Sequence, residues 1–311
     1  MGDQVPGPSR VVRAKAAQLG PAGQRWLDDL PQAVAALERL WSVTVTEPLS
    51  GGSASYVARV RTGGATAVLK MMLPGPEFSG QARTLEQARG RGYARLLAAD
   101  ADRSALLMEM LGQPMASLGL APEFQIRELC LALAQAWRVR VPAGATVAQG
   151  TDKASGLARE VAKLWEELAR PCSERVLVRA LGYARSRTAA FDLHRCVVVH
   201  GDPHPGNALA APATRSGAAS RFAFIDPDGF LAEPAYDLGV VLRDWCHELL
   251  AGDARQLAGR YCRLLEDQTG VPAVAIWEWG FLERVSTGLY ILSLGEPELA
   301  RPFLETAELL A

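Results

Sequence analysis

Read for the spacing of its apolar side chains alone, the chain changes character near residue 110. After a short Pro/Gly-rich start come two helical patterns, the second running from Asp29, an N-cap candidate, through Pro31 in the first turn to Trp41. The period then shortens to two. Residues 42–47, 56–61 and 67–71 alternate, and Gly51-Gly52 and Gly63-Gly64 turn the chain between them, which predicts an antiparallel meander. Helical spacing returns over 78–89, closed by Gly90 and Gly92, and strands are predicted over 93–99 and 105–109. Beyond Gly112-Gln113-Pro114 helical spacing dominates: 123–138, with Leu129, Leu133 and Trp137 on one face, then 156–169 and 173–193. A small β island over 197–226 precedes four more helices starting near Pro234, Asp253, Val274 and Glu296. Strands followed by helices predict an α+β protein of two lobes, residues 1–110 and 111–311. No internal repeat occurs, and the one tract of low complexity, 211–220, reads as a mobile hairpin loop.

Composition adds exclusions. At 49% apolar and 22% charged residues the chain has a globular balance, which removes collagen-like, disordered and disulfide-scaffold classes. Its apolar runs are far shorter than the roughly 18–20 residues of a membrane span, and the opening residues have neither a basic start nor an apolar stretch. Five scattered cysteines never form C-x-x-C, so a reducing cytoplasm is the expected location and no membrane partner is expected. The net charge of −1 hides an asymmetry. From Phe222 onward 15 acidic side chains face 6 arginines and no lysine, a balance of −9 that leaves +8 on the rest. Solvated helix faces would explain this, and so would a cleft in the C-terminal part that attracts a cationic ligand. Nucleic acid is not an expected partner, since its binding face is basic with interleaved aromatics.

The chemistry concentrates in V-V-V-His200-Gly201-Asp202-P-H-P-G-Asn207 and, about twenty residues on, F-A-F-Ile225-Asp226-P-Asp228. Each segment is an apolar strand that delivers polar groups at its end. Two carboxylates and an amide so placed suit Mg²⁺, a hard cation that takes few oxygen ligands from protein. Phosphoryl transfer uses that set of groups: a base-like Asp, an Asn and a metal-binding Asp.

The pattern H-G-D-x-x-x-x-N followed by I-D, continued by Pro234-A-Y-Asp237-L-G, resembles the aminoglycoside phosphotransferase family, which has a protein-kinase-like fold. The likeness implies that Asp202 accepts or orients the proton of the substrate hydroxyl, that Asn207 and Asp226 hold Mg²⁺, and that His200 and Asp237 support the catalytic loop. It also implies that residues 1–110 form a nucleotide-binding lobe with a helical extension and residues 111–311 a helical lobe holding the catalytic loop and substrate site. Gly51, Gly52 and Ser53 then form a phosphate-covering turn whose small residues admit close approach of backbone N–H groups. Lys70 of A-V-L-K resembles the lysine for the α- and β-phosphates. Its helix partner departs from the family's E-A-x-x-L, because this chain reads Gln81-A-R-T-L; Glu77, Gln81 or Glu86 could serve, with Glu86 preferred. The strand ending in Glu109 and Met110 would be the hinge that reads the adenine of ATP, or the base of GTP. The metal-loop wording, with W-L-D-D-L-P and L-S-G-G-S-A-S-Y-V upstream, is closest to the streptomycin and hydroxyurea kinase branch. The expected substrate is a small cationic antibiotic held by Asp228, Glu233, Asp244 and Glu248, on a monomer or dimer. A metabolic kinase of sugars, choline-like or amino-acid alcohols, and a nucleotide-binding regulator without catalysis, are the alternatives.

Simpler readings compete for several residues. His200 and His204 flank Asp202 at a spacing of four, but prolines at 203 and 205 forbid the helix that would turn both toward one zinc ion. Asp237 could be an ordinary helix N-terminal charge, and Trp245, Trp277 and Trp279 could be core or line the substrate groove.

Overall fold

The computed structural model describes residues 7–49, 54–148, 150, 152–212, 215 and 219–311. The chain forms two compact units that divide after Gly112.

The first unit opens with α1 (Arg10–Gln18) and α2 (Pro21–Trp41), separated at Gly20 by a positive φ of 58°. α2 begins eight residues before the Asp29 cap predicted from sequence. Pro21 sits in its first turn, and Pro31 lies inside the helix. The missing N–H of Pro31 is tolerated because Leu30, Val34 and Leu37, at i, i+4 and i+7, bury one stripe completely enough to hold the turn. Then follow β1 (Val43–Pro48), β2 (Ser55–Thr62), β3 (Ala65–Met72), α3 (Glu77–Ala88), β4 (Leu96–Asp100) and β5 (Ala105–Glu109). The sheet is antiparallel in the order β1-β2-β3-β5-β4. Gly63 and Gly64, at φ 30° and 125°, join β2 to β3 in a two-residue turn that requires two positive φ angles. Leu69 and Met71 of β3 join Tyr56, Ala58 and Val60 of β2 in the core under α2. By strand alternation Lys70 points to the opposite face. β3 is the central strand, so Lys70 is no solvated edge residue; it is only 5% exposed.

The second unit contains α4 (Pro122–Ala136), α5 (Lys153–Glu167), α6 (Glu174–Ala189), the short strands β6 (Val197–Val198), β7 (Ala208–Ala210), β8 (Phe222–Phe224) and β9 (Leu231–Ala232), then α7 (Pro234–Arg243), α8 (Cys246–Ala251), α9 (Ala254–Thr269), α10 (Ala273–Ser293) and α11 (Pro297–Leu310). α10 is buried nearly all round, packing on α5, α6, α7, α9 and α11. It approaches α7 so closely that a Cβ at Gly239 would overlap that of Trp279. The β island consists of two ribbons, β6–β9 and β7–β8. The sequence pattern gave four helices after the island; α8 is a fifth, one short turn and a half that carries no apolar stripe. Part of the predicted 211–220 loop lies outside the described residues. No helix among the described residues is long and apolar enough to cross a membrane.

Candidate active site

β6 ends at Val198, and Val199 donates to the carbonyl of Phe230 at 2.9 Å, which extends the ribbon by one residue and delivers His200 into a fully buried position. Gly201 follows at φ 96°, where a Cβ would lie 2.5 Å from Asp228 Oδ2, so both backbone and space demand glycine. Asp237, buried on the first turn of α7, gathers this bend. Its Oδ2 accepts from the backbone N–H of His200 at 2.9 Å and from Trp137 Nε1 at 2.8 Å, and its Oδ1 accepts from Gly201 N–H at 2.9 Å. The carboxylate is therefore a loop anchor rather than a mere helix-end charge. Burial pushes its pKa up to about 6, against the three hydrogen bonds that favour its charged form.

His200 is locked neutral. Its Nδ1 accepts from the backbone N–H of Asp202 at 3.1 Å, which places the proton on Nε2, 2.9 Å from the carbonyl of Ile225. Burial lowers its pKa to about 4. The ring also meets Phe224 edge-on at 4.8 Å. His204 shares the local hydrogen bond but not the charge state: Nδ1 accepts from Gly206 N–H at 3.0 Å, while Nε2 lies 3.4 Å from Asp202 Oδ2. Burial would lower its pKa, but Asp202 raises it by hydrogen bond and charge. The two imidazoles thus organise the loop around Asp202.

Asp202 is half exposed, 42% of its side chain open, and its Oδ1 accepts from Arg243 Nη2 at 2.7 Å. Burial works to raise its pKa; His204 and Arg243 outweigh it and hold the carboxyl well below the usual range. Arg243, at the end of α7, also reaches Glu283 Oε2 at 3.4 Å and Thr287 Oγ1 at 3.2 Å on α10. Glu283 in turn accepts from the Tyr236 hydroxyl at 2.7 Å. Arg243, Glu283 and Tyr236 escaped the sequence reading. The available signal was a single arginine inside the otherwise apolar L-G-V-V-L-R stretch, and a glutamate inside an apolar 21-residue helix, both positions where a charge must find a partner.

The hairpin β7–β8 joins the other two predicted groups. Ala208 pairs with Phe224, and Ile225 N–H donates to the Asn207 carbonyl at 2.9 Å, so Asn207 and Asp226 leave the ribbon at the same end although they are nineteen positions apart in sequence. Asn207 Nδ2 donates to the Asp202 carbonyl at 3.0 Å, which commits the nitrogen end of the amide and turns its oxygen into the available donor. Asp226 holds a left-handed φ of 58°, a conformation that Asp tolerates better than most residues and that is concentrated at functional sites. An amide oxygen and a carboxylate are hard donors that fit Mg²⁺, which retains several waters.

The predicted substrate carboxylates separate into groups. Asp228 is exposed but packs on Gly201, and burial with neighbouring acidic charge raises its pKa to about 6 while Lys153 opposes the rise. Asp244 lies 3.7 Å from Arg243 Nε, and burial raises its carboxyl against the pull of Arg243 and His204. Glu248, on α8, is half-buried. Glu233 is taken by the packing instead: its Oε1 accepts from Trp279 Nε1 at 2.8 Å and lies 3.4 Å from Arg187. Trp279 and Trp245 are core residues, and Trp277 packs at the margin of the core.

In the first unit Lys70 Nζ donates to Gln81 Oε1 at 2.9 Å. This corrects the preference for Glu86. Gln81, Thr84, Leu85 and Ala88 form the buried face of α3, whereas Glu86 is about 140° away around the helix and exposed, and Glu77 is exposed in the first turn. Glu109 accepts from Arg95 N–H at 2.6 Å, so its carboxylate braces β4 against β5, and Met110 follows the strand half-buried. Gly51, Gly52 and Ser53 lie outside the described residues.

Residues 40–279 match the family model for aminoglycoside/hydroxyurea antibiotic resistance kinases. The chain is 28% identical over 294 residues to the streptomycin 6-kinase of Streptomyces glaucescens, covering 94% of this chain and 92% of that one. It is 30% identical over 236 residues to the hydroxyurea phosphotransferase of Kitasatospora aureofaciens, covering 74% of this chain and 66% of that one. Among solved structures, a thermostable aminoglycoside phosphotransferase APH(4)-Ia in ternary complex with ADP and hygromycin B superposes with a TM-score of 0.59 at 14% identity, over 89% of this chain and 98% of that one.

Proposed function

The chain belongs to the aminoglycoside/hydroxyurea antibiotic resistance kinase family, and from that premise we propose that it is an ATP- and Mg²⁺-dependent enzyme that phosphorylates a hydroxyl of a small cationic antibiotic. That it is a phosphotransferase follows from the family; the acceptor, the nucleotide and the metal are our reading. Streptomycin and hydroxyurea, named for its relatives, are the acceptors to test first. GTP is the alternative nucleotide, the cytoplasm the place of work, and a monomer or dimer the working form.

The observation that carries the reading is Asp202, a half-exposed carboxylate kept ionised by Arg243 and His204 on a loop anchored by Asp237. So acidic a group is a weak base. Its service is to accept a hydrogen bond from the acceptor hydroxyl and fix its direction of attack, which suffices for a loose phosphoryl-transfer transition state where positioning dominates. The proton moves to Asp202 late, as the oxygen acquires its new bond to phosphorus. Asn207 and Asp226 would hold Mg²⁺, which when bound neutralises charge on the phosphates. Lys70 would hold the α- and β-phosphates, with Gln81 fixing its ammonium. Asp244 and Asp228 give the acceptor side of the loop its negative character.

Acceptor-stimulated ADP release, measured with streptomycin, hydroxyurea and a panel of aminoglycosides, tests the reading. Turnover with at least one of them, lost in Asp202→Ala while ATP still binds, is the expected result. Full activity in Asp202→Ala, or none of these acceptors accelerating ADP release, overturns it.

A further inference from the structure

Lys153 occupies a costly position. It is the first residue of α5, where the positive end of a helix disfavours a cation, and Asp152 caps the same turn by accepting from Ser155 N–H at 3.0 Å. Its ammonium sits 5.3 Å from the ring centroid of Phe230 and 5.3 Å from that of Tyr236. Those two rings meet each other edge-to-face at 5.3 Å and 66°, and Trp279 meets Tyr236 at 5.0 Å, so the aromatic corner is rigid. The Tyr236 hydroxyl lies 3.3 Å from the carbonyl of Gly201, the neighbour of Asp202, and Asp228, two residues before Phe230, packs against the same glycine. Two aromatic faces that meet at one ammonium make a cation cage. The chain builds it beside the catalytic loop and fills it with its own side chain.

We propose that Lys153 is a specificity-determining residue whose ammonium occupies this cage, so that an acceptor must present a neutral, electron-rich atom there and carry its positive charge toward Asp244 and Glu248 instead. The inference rests on the reading of the protein as a kinase of small antibiotics, and it narrows that reading. Of the four carboxylates expected to hold a cationic substrate, Glu233 is taken by Trp279 and Arg187. A hydroxyl or carbonyl oxygen fits beside Lys153; a second ammonium or guanidinium does not.

Removing the side chain should open the cage to a free cation. In Lys153→Ala, methylammonium chloride at constant ionic strength should raise the thermal midpoint with an apparent affinity about tenfold above any effect on the wild type, a factor in the range of a desolvated cation–π site. Lys153→Ala/Phe230→Leu, which removes one of the two ring faces, should lose most of that gain. Lys153→Met, which fills the space without charge, is the second variant should the alanine fail to fold; it should show no response to methylammonium, and a response equal to the wild type's in the alanine protein overturns the cage. In turnover, Lys153→Ala or Lys153→Met should raise the ratio of kcat/KM for cationic streptomycin over neutral hydroxyurea about three- to tenfold. An unchanged ratio overturns the role in selection even if the cage fills. If the wild type phosphorylates neither compound, the functional reading fails, while the methylammonium titration still decides whether Lys153 plugs a cation site.

Discussion

Arg243 Nη2 and Asp202 Oδ1 lie 2.7 Å apart, one from the last turn of α7 and the other from the loop that α7 itself anchors through Asp237. One helix therefore fixes both the backbone of the catalytic loop and the charge of its carboxylate. Arg243 is held from the other side by Glu283 and Thr287, so its guanidinium cannot follow Asp202 if the loop shifts. The arrangement is a rigid fork, and its planarity is what a lysine would lack.

Arg243→Met should lower kcat about 100-fold, the usual scale for losing one group that positions a reacting atom, with little change in the KM for nucleotide. Arg243→Lys, which retains charge without the fork, should fall between. Because Arg243 holds the Asp202 pKa down, its loss should also move the acid limb of the pH–rate profile upward, toward the ordinary carboxylate range. A lower rate with an unmoved acid limb would show that Arg243 does not act through Asp202.

His200 provides a second test, in stability. Its folded pKa of about 4 lies below the unfolded value of 6.5, so the unfolded chain binds more protons between those limits, and the stability His200 contributes above pH 6.5 is lost as pH falls toward 4. At about 1.4 kcal/mol per pKa unit the loss is about 3 kcal/mol. His200→Asn cannot titrate. It should be less stable than wild type at pH 7, having lost the bonds to Asp202 N–H and Ile225 C=O, and the gap should shrink by about 3 kcal/mol on going to pH 4. Urea unfolding at pH 7, 5.5 and 4 measures this; a gap independent of pH refutes the buried neutral imidazole.

These two residues mark what the sequence makes visible. His200, Asp202, Asn207 and Asp226 stood out because each follows an apolar strand at a short fixed spacing, Asp237 through the family resemblance, and the five-stranded sheet because alternation and the Gly63-Gly64 turn are local signals. Arg243 and Glu283 were not, since their meaning lies in a contact forty residues apart that no period encodes. Glu233 misled for the same reason: a carboxylate ahead of a helix looks free until Trp279 and Arg187 fold onto it. Glu86 misled because formal charge seemed to matter more than helix face, whereas the face of α3 decides which side chain meets Lys70.

That contact yields the third prediction. Gln81→Leu removes the amide oxygen that accepts from a lysine only 5% exposed, and the KM for nucleotide should rise about tenfold, with a smaller change in kcat. Glu86→Ala, altering an exposed position on another face of α3, should change the KM less than twofold. Nucleotide titration of both variants checks the pair, and the opposite ranking would restore Glu86 as the partner.

The metal-binding role proposed for the hairpin end can be separated from its structural role. Asp226 would supply a full charge and Asn207 one amide oxygen, while the Asn207 nitrogen ties down the Asp202 carbonyl. Asp226→Asn should therefore raise the free Mg²⁺ needed for half-maximal activity the more, by about tenfold or above, since a charged donor is exchanged for a neutral one at a hard cation. Asn207→Asp retains an oxygen donor but gives up the bond to the loop, because a carboxylate cannot donate to the Asp202 carbonyl. It should keep or lower the Mg²⁺ requirement while kcat falls as Asp202 loses its position. Activity measured against free Mg²⁺ at saturating nucleotide distinguishes the two effects: a displaced midpoint belongs to coordination, a lowered plateau to the loop. Identical Mg²⁺ curves for wild type and Asp226→Asn would remove Asp226 from the metal site.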